Sequence, residues 1–342
     1  MADHEEGMTL VLNPNARRLK THGLSVEDFK ALLPPNSEVH LTQDLAELDE
    51  VMSNWRSGEQ TLCFYGGDGS IARGITSFIR HHGEETQLPP VLPVRAGTIN
   101  MLCNLMGRRE TADTTLIRWM NRELREVREV PTVKVQVGTE APRYGFILAW
   151  GVGYRVLSEY YSRTDRPSMM DAVAVMTQAF TQAVRPGNSE SSLSRREHLA
   201  LSVDGGPPSD GLFHTLTIGS IPKVSIGIRP FPPGEIKPGT IAFSANGMPL
   251  YQVANYAPTL LFGIGDQRQL DFGNELVSGI GTRELSCRLV EGFTMDGEIF
   301  ELPEPAEVKV TAGPVVRFWV GREKFFDKLL PRPLRARRAS TA

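Results

Sequence analysis

Gly66-Gly67-Asp68-Gly69-Ser70 sets three glycines around one carboxylate. An apolar run, residues 62–65, enters it, and residues 71–82 follow with Ile71, Ile75, Phe78 and Ile79 at helical spacing. The pattern predicts strand, tight loop and helix. Such a loop suits phosphate, because glycines permit positive φ and close approach of a ligand, and the amides that open a helix form its positive end. Asp68 alone would repel phosphate, so the chemistry asks for a divalent cation, Mg²⁺, between them. The plain alternative is a glycine-rich βα turn with Asp68 as a cap.

Three further groups could share that chemistry. Asn13-Pro14-Asn15-Ala16-Arg17 ends a predicted strand at 8–12 and puts two amide side chains at its carboxyl end, where open α/β sheets bind ligands. Pro93-Val94-Arg95-Ala96-Gly97-Thr98-Ile99-Asn100 is a strand end, a glycine turn and a helix start, offering the Thr98 hydroxyl and the Asn100 amide beside the same sheet edge. Asp296-Gly297-Glu298 lies between short apolar segments, where Asp-Gly favours a hairpin turn. In extended chain, Asp296 and Glu298 would point the same way.

Together these stretches resemble the diacylglycerol kinase catalytic-domain family of lipid kinases, more distantly related to NAD kinase and phosphofructokinase. Gly66 to Ser70 resembles the family's nucleotide-binding signature, residues 13–17 its Asn-Pro-x-Ala/Ser-Gly turn, and residues 93–100 its Pro-x-Gly-Thr-x-Asn stretch. Arg17 and Arg95 stand where the family has glycine and proline. The resemblance implies that Asn13, Asn15, Thr42, Gly66, Gly67, Asp68, Gly69, Ser70, Gly97, Thr98 and Asn100 bind ATP, with Asp68 at the Mg²⁺. It also implies that the acids of Asp296-Gly297-Glu298 include the base that takes a proton from a lipid hydroxyl, diacylglycerol by default. An NAD kinase-like enzyme and a catalytically weak nucleotide- or lipid-binding regulator are the alternatives. The family's second, acidic metal site is not expected, since residues 233–239 hold Glu235 alone, beside Lys237.

The elements that must position these groups alternate in type. Strands are expected at 8–12, 38–41 and 62–65, with helices at 26–33, 44–55, 71–82 and 111–123. That order predicts a doubly wound, largely parallel sheet over residues 1–130. Thr42 would cap the 44–55 helix. Residues 124–133 are expected to connect the domains. Beyond them, short strands at 132–137, 143–149, 198–203, 212–218, 239–244, 284–290 and 307–310 predict an all-β, sandwich-like domain over 131–320, with 321–342 returning to the first. Gly151-Val152-Gly153-Tyr154 resembles a turn that opens the family's second domain. Met169, Val173, Met176, Phe180 and Val184 form a helical stripe that suits a core or a lipid pocket.

Composition narrows the partners. The 342 residues exceed the usual single domain, and a net charge of -3 speaks against a general nucleic-acid binder. Cys63, Cys103 and Cys287 are widely spaced, which fits a reducing cytoplasm and offers no metal-site spacing. Residues 145–152 are too few to span a bilayer, and the acidic start lacks signal-peptide character. Membrane contact is therefore expected to be peripheral, aided by Arg332, Arg335, Arg337 and Arg338. Expected partners are a lipid alcohol and a membrane surface; a homodimer is left open.

Overall fold

The computed structural model describes residues 7–16, 19, 25–55, 61–97, 100–124, 126–162, 175, 193, 195–223, 229–232, 234–248 and 276–321. The stripe residues Met169, Val173, Met176, Phe180 and Val184, with Arg17, Thr98 and the arginine tail, lie outside them.

The first part alternates as expected: β1 (Met8–Leu12), α1 (Val26–Leu32), β2 (Glu38–Leu41), α2 (Leu45–Ser53), β3 (Thr61–Tyr65), α3 (Asp68–His82), β4 (Val91–Pro93), α4 (Met101–Leu105) and α5 (Ala112–Met120). Its strands run parallel in the order β2-β1-β3-β4. All five residues of β1 and of β3 are buried, as strands covered on both faces must be. Alternation then sorts them. Met8, Leu10, Leu12, Cys63 and Tyr65 face α1 and α5 through Phe29, Leu116 and Trp119. Val11, Leu62 and Phe64 face α2 and α3 through Met52, Ile75 and Phe78.

The chain continues through β5 (Val127–Val137), β6 (Arg143–Gly145), β7 (Ile147–Gly151), α6 (Val152–Ser162), β8 (Glu197–Val203), β9 (Ser209–Phe213), β10 (Thr215–Gly219), β11 (Ile241–Asn246), β12 (Leu276–Thr282), β13 (Glu284–Leu289), β14 (Phe293–Met295), β15 (Glu298–Phe300) and β16 (Ala306–Trp319). One antiparallel sheet runs β12-β11-β10-β7-β14-β15; the other, β16-β13-β8-β9 with β5 and β6, continues the parallel sheet. Val135, Leu201, Leu285 and Val310 of this sheet meet Leu148, Trp150, Ile218 and Phe293 of the other in one core, a β-sandwich. The expected pairing of an α/β domain with a largely parallel sheet and an all-β domain is the observed architecture.

Several local expectations are corrected. Residues 127–130, expected as connection, are the start of β5, which pairs with β16 along most of its length. Proline's missing amide is tolerated where the β5–β16 register shifts, near Val315 opposite Pro131. β16, expected to be short, runs on until Phe318 pairs in parallel with Val91 of β4. After Gly151, whose φ is +72°, the chain enters α6 directly rather than making only a turn. Thr42 does not cap α2: Asp44 does, accepting the Glu47 amide at 2.9 Å.

Candidate functional site

Because β2, β1, β3 and β4 are parallel, the segments that follow them leave one edge of the sheet. Asn13 and Asn15 follow β1, Thr42 follows β2, residues 66–70 follow β3 and Gly97 to Asn100 follow β4. Topology alone thus gathers every candidate nucleotide-binding residue that the structure describes.

The first of these loops is tied to the third. Asn13 Nδ2 donates to the Ser70 hydroxyl at 3.0 Å, while its Oδ1 accepts the Asn15 amide at 2.8 Å and closes a tight turn. Thr42 is buried beside them, its amide donating to the Leu12 carbonyl at 3.0 Å.

None of Gly66, Gly67 and Gly69 has a positive φ, so the expectation of left-handed backbone there is corrected. Gly66 and Gly69 are bare because other protein atoms come close. A Cβ on Gly66 would fall on the Ser70 side chain, and one on Gly69 would lie 2.5 Å from Glu298 Oε1. A Cβ on Gly97 would lie 2.5 Å from the Gly67 Cα, so these two loops meet backbone to backbone. Gly67 is also the N-cap of α3 and offers no side chain to its first turn, where the Ser70 amide donates to the Gly67 carbonyl at 3.1 Å.

Asp68 is 8% exposed. Its Oδ2 accepts the Met101 amide at 2.7 Å and its Oδ1 the Leu102 amide at 2.9 Å. The acid of the glycine loop therefore caps α4, a helix whose own N-cap, Asn100, has a φ of +54° and makes no side-chain cap. Asn100 instead closes its loop, accepting from the Gly97 amide at 3.0 Å and donating to the Gly97 carbonyl at 2.7 Å. Burial pushes the Asp68 carboxyl above its ordinary value, against the pull of the two amides and of Arg95.

The acidic hairpin arrives from the other sheet. Asp296 and Gly297, with φ of +51° and +86°, form the two-residue turn between β14 and β15. With left-handed backbone there the chain is not extended, and the two carboxylates divide rather than point one way. Asp296, 5% exposed, accepts the amides of Phe146 at 2.9 Å and Ile147 at 3.1 Å. It thereby pins the hairpin to the break between β6 and β7. Burial pushes its carboxyl well above the ordinary range; the amides oppose this and the charges of Asp68 and Glu298 add to it. Glu298 reaches the other way, onto the first turns of α3, where its Oε2 pairs with Arg73.

A second contact fixes this approach. The Thr76 hydroxyl of α3 donates to the Tyr144 carbonyl at 3.1 Å and accepts the Tyr144 amide at 2.9 Å, docking the glycine-loop helix on β6.

Among described residues, no group of three or more His, Cys, Asp or Glu side chains is arranged to hold a metal ion. The three cysteines are buried and free, and burial raises all three thiols, Cys287 to about 12. No described helix is long and apolar enough to cross a membrane.

No protein-family model matches the chain, and no curated protein matches it by sequence. Solved structures do. Two from Bacillus anthracis str. Sterne bear the name diacylglycerol kinase, the first provisionally. They align with TM-scores of 0.64 and 0.63 at 14% and 13% identity, over 93% of this chain and 98% of each of theirs. The chain has the diacylglycerol kinase fold. An NAD kinase from Archaeoglobus fulgidus in complex with ATP aligns at a TM-score of 0.46 and 13% identity, over 92% of this chain and 94% of that one.

Within the diacylglycerol kinase fold of this chain, sequence reading missed Arg73. A signal for it existed: Arg73 lies four residues after Gly69, on the same helical face, amid apolar turns. It also missed Tyr161 of α6, whose hydroxyl donates to the Gly297 carbonyl of the turn at 3.1 Å. Nothing local in the sequence points to that pairing.

Proposed function

We propose that the chain is an ATP-dependent lipid kinase, with diacylglycerol the acceptor to test first. The observation that carries this reading is the contact of Glu298 with Gly69, which brings an acid from the sandwich onto the first turn of the glycine-loop helix. A phosphate-binding helix end and a carboxylate able to take a proton then share one site, the requirement for phosphoryl transfer to an alcohol.

In this reading the first-turn amides of α3 receive the triphosphate, and Asn13, Asn15, Thr42, Thr98 and Asn100 shape the nucleotide side. Asp68 fits Mg²⁺ only as one ligand among phosphate oxygens and water, since each of its oxygens already accepts one amide. When bound, the ion supplies positive charge to the phosphates. Glu298, not Asp296, is the base: both Asp296 oxygens are engaged by backbone amides, whereas Glu298 Oε1 lies against the loop. Glu298 takes the hydroxyl proton as that oxygen bonds to the γ-phosphorus in line, the bond from phosphorus to the bridging oxygen breaks, and ADP leaves.

The test is ADP release from Mg²⁺-ATP across a panel of diacylglycerol, sphingoid base, other lipid alcohols and NAD. Release with a lipid alcohol supports the proposal. Release with NAD alone replaces it with an NAD kinase, and ATP binding without release on any acceptor replaces it with a regulator.

A further inference from the structure

Glu298 sits in a seat made by one face of α3. Gly69 and Arg73 are one turn apart, so both border the same spot on the helix surface. Gly69 supplies the floor, with no room for a Cβ, and Arg73 supplies the wall, its Nε and Nη2 both directed at Glu298 Oε2. Oε1 accepts no hydrogen bond among the described residues and is the oxygen nearer the glycine loop. The pair is part-buried, with side chains 38% and 26% exposed, where an ion pair is worth less for stability than for holding an orientation.

We propose that Arg73 is a positioning residue. By occupying Oε2 it fixes the glutamate's rotamer and presents Oε1 to the acceptor hydroxyl. The geometric half of this proposal stands on the contacts alone; the kinetic half rests on the kinase reading above. Without the guanidinium, a side chain reaching from a separate sheet would sample several rotamers, and a misplacement of about 1 Å in a catalytic group costs on the order of 10²-fold in rate. Tyr161 holds the backbone of the same turn, so the loss would fall on the side chain and leave the hairpin in place.

Two measurements test it separately. In the ¹⁵N spectrum of labelled arginine, the Arg73 Nε–H signal, assigned by its absence in Arg73→Ala, should exchange slowly with solvent and shift in Glu298→Gln. An Arg73 signal indifferent to Glu298→Gln overturns the seat whatever the activity. With Mg²⁺-ATP and the acceptor found by the panel, Arg73→Ala should lower kcat about 10- to 100-fold with the KM for ATP within about twofold, and Arg73→Lys should recover part of the loss. Unchanged kcat, or a rise in the ATP KM that accounts for the whole effect, overturns positioning. If the wild-type chain phosphorylates no acceptor, the kinase reading and the kinetic role fall together, while the spectrum still decides the seat.

Discussion

Gly97 approaches Gly67 so closely that a Cβ on Gly97 would stand 2.5 Å from the Gly67 Cα, whereas a Cβ on Gly67 would stand at an ordinary 3.6 Å from the Gly97 Cα. The two loops share a contact, yet only one of the glycines is required by the protein itself.

That asymmetry separates folding from binding. Gly97→Ala should lower stability, since backbone cannot yield as a flexible side chain does. Gly67→Ala should leave stability within about 1 kcal/mol of wild type while, in the proposed kinase, weakening ATP binding, because no protein atom claims the space a Cβ there would fill. Calorimetric titration alongside a melt checks both; full ATP affinity in Gly67→Ala removes that position from the site.

Asp68→Asn replaces an acceptor of two amides with a group that can accept through one atom only. The variant should lose about 1–3 kcal/mol of stability in denaturant, with or without nucleotide. In the proposed kinase it should also bind Mg²⁺-ATP more weakly. A loss of binding with stability intact would make Asp68 a ligand alone and not the cap of α4.

In the proposed kinase the acids of the hairpin divide by role. Glu298→Gln should cut turnover by about 10²- to 10⁴-fold with ATP affinity nearly intact. Asp296→Asn should act mainly by loosening the turn, seen as a lower melting temperature near pH 4. The opposite pattern in kinetics and melts reverses the assignment of the base.

Asp296 also predicts a pH dependence. Its folded value is raised above the ordinary 3.8, so its contribution to stability is complete below that pH and is lost as pH rises toward the folded value. Asp296→Asn cannot titrate. The melting temperature of the variant relative to wild type should therefore climb from about pH 4 upward, and a flat difference would mean that burial does not raise the Asp296 carboxyl.

Thr76→Val removes the hydroxyl that satisfies both the amide and the carbonyl of Tyr144 and should cost about 1–3 kcal/mol, most of which Thr76→Ser restores. Equal melts for valine and serine would show that the helix docks on β6 without that bridge.

Much of this molecule is legible in one dimension. Strands β1 and β3 are unbroken apolar runs, and strands alternating with helices compel a parallel sheet whose loops share an edge. These are local preferences and periodicities, and together with the family resemblance they pointed to the glycine loop, the Gly97 turn and the acidic hairpin. What the residues do to one another is not local. That Asp68 caps α4, that Gly69 is bare to admit Glu298, and that Asp296 turns inward to Phe146 while Glu298 turns outward to Arg73 all depend on contacts between residues more than thirty positions apart. A glycine has the same sequence signature whether a phosphate or a glutamate needs the space, and only the packed chain says which protein atom stands there.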